Sequence, residues 1–314
     1  MSKTIREAYG EALARYGKDD PRVVVLDADV TSSTKSGLFA AACPDRFFNI
    51  GIAEANMAAM AAGLASEGKI PFVNTFAVFI ATLGTLAART FAGYGNLNIK
   101  FMGAYGGMSD AYDGASHHSI EDIAVMRAIP NIETFVASDA VQTAWLVKNA
   151  VASPHPMYIR LSRDAMPALY GENETFETGR AKVLRDGGDV TIFACGVMCG
   201  AALAAADALA GKGVSARVVD MFTIKPLDAD MVAACAVETR ALVTAEEHNI
   251  VGGLGGAVAE ALAGIAKAPP LRMVGIRDRF TESGGYAALL EKYGLDPASV
   301  AKEAMAALSL ADAP

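Results

Sequence analysis

The chain has 314 residues, 53% of them hydrophobic and 20% charged, with a formal net charge of −8 at pH 7. That length favours two domains over one, and the scattered Lys and Arg of an acidic chain exclude a basic nucleic-acid face. Residues 1–7 lack the apolar centre of a secretory signal, which sets the expectation of a cytoplasmic protein.

Residues 5–16 read as a helix, and the apolar run 23–26 as a strand ending in Asp27 and Asp29. A strand over 47–51 and a helix over 54–66 follow. Strands over 70–74 and 99–102 flank a helix at 77–91. The uncharged stretch 70–88 approaches the length of a membrane span. Pro71, Asn74, Thr75, Thr82, Gly84 and Thr85 interrupt it, so it reads as a strand and a helix, with no membrane partner. A helix over 120–129, a strand over 133–137, a helix over 139–151 capped by Ser138 and a strand over 157–161 complete the first alternation.

Residues 164–180 carry turn residues and read as a linker. A second alternation has strands over 190–194, 215–220, 241–245 and 271–276, and helices over 200–211, 229–237 and 255–266. Apolar strands separated by helices imply parallel sheets covered on both faces. The expected fold is therefore two parallel-sheet α/β domains, residues 1–178 and 179–314. The high apolar content is consistent with an extensive subunit interface. Cys43, Cys195, Cys199 and Cys235 show no C-x-x-C spacing and read as free buried thiols of a reducing compartment.

In open parallel sheets, ligands sit outside the carboxyl ends of the strands. This makes Asp27, Asp29, Asn49, Glu54, Asn74, Thr75, Arg160 and Arg163 candidates, although each could equally cap a turn. Glu54 stands out. It is the lone acid between Asp45 and Glu67, at a strand-to-helix turn among apolar residues. Two readings stay open: a carboxyl group that shares a proton with a ligand, since burial disfavours the charged form, or an ordinary acid in a first helical turn. A second candidate lies in the segment 110–122, which holds His117 and His118 behind Gly114. A histidine presented from a loop suits proton transfer near neutral pH. The two histidines are adjacent and no spaced ligand cluster accompanies them, so no metal site is expected.

These segments, taken together, resemble a known family. Phe48-Asn49-Ile50-Gly51-Ile52-Ala53-Glu54, Asn74-Thr75-Phe76-Ala77-Val78-Phe79, Asp113-Gly114-Ala115-Ser116-His117-His118-Ser119-Ile120-Glu121-Asp122 and Met126-Arg127-Ala128-Ile129-Pro130-Asn131 occur in that order. The series resembles the pyrimidine-binding domain of transketolases and deoxyxylulose-phosphate synthases. Leu161-Ser162-Arg163 and Glu246-Glu247-His248-Asn249 with Gly252-Gly253 extend the likeness into the C-terminal domain.

The resemblance implies thiamine diphosphate as cofactor. It implies that Glu54 hydrogen-bonds the aminopyrimidine ring nitrogen N1′, that Phe76 and Phe79 pack on that ring, and that Asp29 lies near it. It implies that His117 and Asp113 contact substrate hydroxyls near the reacting carbons. Arg163, Ser33 and Arg6 match the channel for a sugar phosphate, a task suited to the planar arginine fork. Tyr105 stands where transketolases commonly carry a histidine in that channel. Tyr112 replaces a usual acidic residue, and Thr82 replaces a third aromatic.

A full transketolase also has a domain with Gly-Asp-Gly and a following Asn, which bind the diphosphate and its metal. No Gly-Asp-Gly occurs here. The chain therefore resembles the C-terminal subunit of a split transketolase in carbohydrate metabolism. It would work with an N-terminal subunit that binds Mg2+ or Ca2+, in an α2β2 heterotetramer. Three rival readings remain: the beta subunit of a 2-oxoacid dehydrogenase decarboxylase or a deoxyxylulose-phosphate-synthase-like enzyme; a non-catalytic regulatory subunit; and a nicotinamide-dependent dehydrogenase. The last rests only on the glycines at 252–256, where Val258 holds the third position of G-x-G-x-x-G. That loop reads better as tight helix packing.

Overall fold

A computed structural model describes residues 3–313. Its strands are β1 (Val23–Asp27), β2 (Phe47–Asn49), β3 (Ile70–Phe76), β4 (Lys100–Ala104), β5 (Glu133–Val136), β6 (Met157–Arg160), β7 (Lys182–Arg185), β8 (Val190–Ala194), β9 (Ala216–Asp220), β10 (Thr223–Lys225), β11 (Ala241–Asn249) and β12 (Leu271–Ile276). They form a seven-stranded sheet in the order β10-β5-β6-β4-β3-β1-β2 and a five-stranded sheet in the order β12-β11-β8-β9-β7. Within the sheets every ladder is parallel except β10 with β5 and β7 with β9.

Burial follows from strand composition. Strands β1, β3, β4, β6 and β8 are buried at every position, as expected for parallel strands covered on both faces. Helices Ile5–Asp19 and Ala140–Ala152 pack on one face of the larger sheet through Tyr9, Leu13, Leu146 and Val147. Helix Glu54–Ser66 covers the other face with Met57, Ala58, Ala61 and Ala62. In the smaller sheet, helices Met198–Ala210 and Pro297–Ala311 cover one face, and helices Ala229–Glu238 and Leu254–Leu262 the other.

The expected α/β alternation is present, with four departures. The helix expected over 77–91 is broken into Ala77–Thr82, Thr85–Ala87 and a π-helical turn, Ala88–Tyr94. The Thr82 and Thr85 hydroxyls back-bond to the Val78 and Ala81 carbonyls, a pattern that bends helices. Helix Ala140–Ala152 is capped by Asp139, which accepts from the Gln142 N–H at 2.8 Å. Ser138, the expected cap, instead donates to Asp220 at 2.9 Å and accepts from the Gly196 N–H at 3.0 Å. Two edge strands, β7 and β10, were not expected. β10 follows β9 of the smaller sheet yet pairs with β5 of the larger one. The C-terminal helices Tyr286–Lys292 and Pro297–Ala311 were also not anticipated.

The four cysteines are free and buried. Among the described residues, no helix is long and apolar enough to cross a membrane.

Candidate functional site

The carboxyl ends of β1, β2, β3 and β4 converge on one region. β2 ends at Asn49, the chain turns through Gly51 in the left-handed region (φ 76°), and Glu54 begins helix Glu54–Ser66. Both readings of Glu54 meet here. It lies in the first helical turn, where the dipole favours a carboxylate. It is also 7% exposed, and its side chain makes no hydrogen bond among the described residues. Its carboxyl oxygens keep contact with solvent and so can be reached by a bound group. Asp29 is exposed in the left-handed region (φ 64°) and accepts from Asn49 Nδ2 at 2.8 Å.

β3 runs directly into the helix that carries Phe79, and an aromatic wall forms at that junction. Phe76 stacks on Tyr105, with ring centroids 4.8 Å apart and planes at 14°. His117 meets Phe76 and Phe79 edge-on, at 6.0 and 5.4 Å. Val30 packs against the same cluster and begins the segment that carries Ser33 on helix Thr31–Thr34. Tyr105 adopts φ 60°, which for a bulky side chain costs on the order of 1–3 kcal/mol. Its hydroxyl accepts from Arg6 Nη1 at 2.7 Å. The guanidiniums of Arg6 and Arg163 lie 5.7 and 5.3 Å from its ring centroid, a cation–π geometry.

His117 and Asp113 ride on a loop closed at its base. Gly107 and Ser119 exchange two backbone hydrogen bonds, of 3.0 and 2.9 Å. Inside the loop, Asp110 accepts from Arg163 Nη1 at 2.9 Å. Burial, reinforced by neighbouring Asp113, pushes the Asp110 carboxyl up to about 6. Sequence reasoning missed Asp110, because its partner lies 53 positions away.

The second domain grips this loop. Glu247 Oε1 accepts from the Met108 N–H at 2.8 Å. Thr281 Oγ1 meets His118 Nδ1 at 2.7 Å, and the Gly284 N–H donates to the Ala111 carbonyl at 3.1 Å. Gly107 has φ 66°, and a Cβ there would fall on the Glu247 carboxyl group. Burial raises Glu247 to about 7, against the pull of Arg160 and the Met108 N–H.

Several strand-end candidates are consumed internally. Asp27 accepts from the Thr34 and Ser36 hydroxyls and the Val30 N–H. Asn74 is engaged by Tyr9 and by the Leu26 and Phe72 carbonyls. Arg160 is buried, donates to the Ser119 and Glu247 carbonyls and lies 3.4 Å from Asp122. The glycine loop at 252–256 is occupied too. Its Leu254 and Gly255 N–H groups bind the buried Glu246 carboxylate at 2.7 and 2.8 Å. That helix N-terminus is therefore not open to a dinucleotide phosphate.

Family models match both halves of the chain: "Transketolase, pyrimidine binding domain" over residues 1–168 and "Transketolase, C-terminal domain" over residues 179–300. The chain belongs to the transketolase family. It is 40% identical over 300 residues to a 6-deoxy-6-sulfo-D-fructose transketolase subunit of Clostridium sp. (strain MSTE9), covering 96% of this chain and 93% of that one. It is 37% identical over 302 residues to one subunit of an apulose-4-phosphate transketolase from Phocaeicola vulgatus, covering 96% of each. A solved structure described as "Split gene transketolase, inactive beta4 tetramer" superposes with a TM-score of 0.90 at 46% identity, covering 99% of each chain. The present chain is the C-terminal subunit of a split, thiamine-diphosphate-dependent transketolase.

The site fits the pyrimidine half of that cofactor. The Glu54 side chain makes no hydrogen bond among the described residues, and Phe76 and Phe79 form an aromatic cluster with Tyr105 and His117 at the end of β3. Among the described residues, no group of three or more His, Cys, Asp and Glu side chains is placed to hold a metal ion.

Proposed function

We propose that this chain, joined to a separate N-terminal subunit, transfers a two-carbon ketol unit between sugar phosphates. In this reading the partner binds the diphosphate and its Mg2+ or Ca2+. Two-fold symmetry is the common solution for such assemblies, which favours α2β2. The two functional halves divide at residues 178 and 179, and the buried free thiols suit a cytoplasmic compartment.

Thiamine diphosphate supplies the nucleophilic carbon that carries the two-carbon unit, and the protein supplies orientation and proton control. Glu54 holds the aminopyrimidine N1′ and exchanges a proton there. Phe76 and Phe79 pack on the ring. His117, backed by both phenylalanines, moves a proton at the substrate hydroxyls, and Asp113 orients them. Arg163, Arg6 and Ser33 hold the anionic end of the sugar, with Tyr105 between the two guanidiniums. Two arginines on one ring suit a charged sugar better than a neutral lipoyl arm.

The observation that carries this reading is Glu54, a largely buried residue at a helix start whose carboxyl group makes no hydrogen bond among the described residues. The test is reconstitution. The purified single chain with thiamine diphosphate and magnesium should show no ketol transfer. Co-purification with a Gly-Asp-Gly subunit should restore it over a panel of sugar phosphates. Full activity of the single chain would refute the need for a partner.

A further inference from the structure

We propose that Asp110 sets the charge preference of the substrate channel by competing with the anionic end of the sugar for Arg163. The inference rests on the ketol-transfer reading and deepens it.

The geometry is specific. Asp110 is 2% exposed, whereas the Arg163 side chain is 36% exposed and faces the channel beside Tyr105. One carboxylate oxygen of Asp110 takes Arg163 Nη1 at 2.9 Å. The other, Oδ2, is buried, and the neighbouring Asp113 carboxyl group hydrogen-bonds with Asp110 and disfavours its charge. The pair is thus held from the inside, and the arginine meets a substrate already engaged. A phosphate on Arg163 must share the guanidinium or displace Asp110. Displacement leaves a buried carboxylate without its cation, which is costly. Across the cluster, Arg6 and Arg163 supply two positive charges, and Asp110 and Asp113 two negative ones. Such a pocket does not concentrate a dianion as two free arginines would. The channel therefore discriminates less on phosphate than its two arginines alone suggest.

The competition depends on the ionisation of Asp110. The groups facing its carboxyl are Asp113, Arg163 and His117, and the His118 ring meets its backbone carbonyl. Burial and Asp113 raise it to about 6. Above that pH Asp110 is charged and holds Arg163. Below it the carboxyl is neutral and the arginine is released to an anion.

Sulfate is a suitable probe, because its charge is constant across this range. In the assembled complex, calorimetric sulfate affinity should rise about tenfold from pH 8 to pH 5.5, and this rise should vanish in Asp110→Asn. At pH 8 that variant should also raise about tenfold the ratio of kcat/KM for an aldopentose 5-phosphate over that for the parent aldopentose. The phosphate's own second ionisation, near pH 6, acts equally in both proteins, so the variant isolates the aspartate. An unchanged ratio, or a wild-type sulfate affinity that is flat with pH, would overturn the proposal. If Asp110→Asn fails to fold, Asp110→Ser takes its place in both measurements, because histidines also change charge over this pH range. A complex without ketol transfer on any sugar would sink the functional reading, while the sulfate titration would still test the Asp110–Arg163 pair.

Discussion

Glu54 occupies a position where a carboxylate is favoured by the helix dipole, and its carboxyl group is not tied down by any internal hydrogen bond among the described residues. The sequence made Glu54 legible, because it is the lone acid in an apolar stretch. The same logic could not find Asp110, which sits among other polar loop residues and gains its meaning from Arg163. The two roles of Glu54 separate in Glu54→Gln, which keeps the shape and one hydrogen bond but not the acidic proton. Hydrogen–deuterium exchange at C2 of the cofactor in the assembled complex should slow by at least about two decades, the scale of one general acid–base contribution. Folding and subunit association should change little. Wild-type exchange would reduce Glu54 to a helix-start acid.

Among the elements, the loop 107–119 carries two of the proposed site residues with no helix or strand of its own. Its shape comes from anchors: the Gly107–Ser119 pair at its base, and Glu247, Thr281 and Gly284 of the second domain. The sequence indicated that a histidine is presented there, but not what holds it, since Glu247, Thr281 and Gly284 lie more than 100 residues downstream. Helix Glu54–Ser66 was legible because the Ala/Met-rich stretch from Met57 to Leu64 follows Glu54. Strand β10 was not, because three residues carry too little pattern and its partner lies in the other sheet. Glu247→Ala should free the Met108 N–H and speed amide exchange across 107–119, with little change in the strand amides of β8. Losing a charged hydrogen-bond acceptor costs about 1.5–3 kcal/mol, so kcat/KM should fall about 10- to 100-fold. Glu247→Gln, which still accepts from Met108, should recover most of it. If both variants lose activity in step with thermal stability, Glu247 serves interface packing and does not position the loop.

At the scale of the whole molecule, the site sits at the rim of an uncovered apolar surface. Ile52 is 83% exposed in the turn that presents Glu54. Phe48, Met60, Leu83, Leu86, Phe91 and Tyr94 are exposed on β2 and on the helices that follow Glu54 and Phe79. Helix Glu54–Ser66 packs against the segments 85–87 and 88–94, so these side chains share one side of the domain. An exposed apolar surface of this kind marks an association site. Its contact with the Glu54 turn means that a subunit seated on it would also cover the pyrimidine end of the site. The sequence showed this surface only as excess hydrophobicity, because composition cannot say which apolar residues stay outside. The pair Ile52→Asp and Leu86→Asp places two charges where the partner would dock. Desolvating them should weaken association at least about 100-fold, the loss expected when central contacts worth roughly 2 kcal/mol or more are removed. Sedimentation of the mixed subunits should then show separate species, while circular dichroism of the single chain stays unchanged. If the site is completed at this surface, cofactor binding should fall together with association. A double variant that still sediments as the wild-type complex would place the partner on another face and leave the Ile52 rim without a role in assembly.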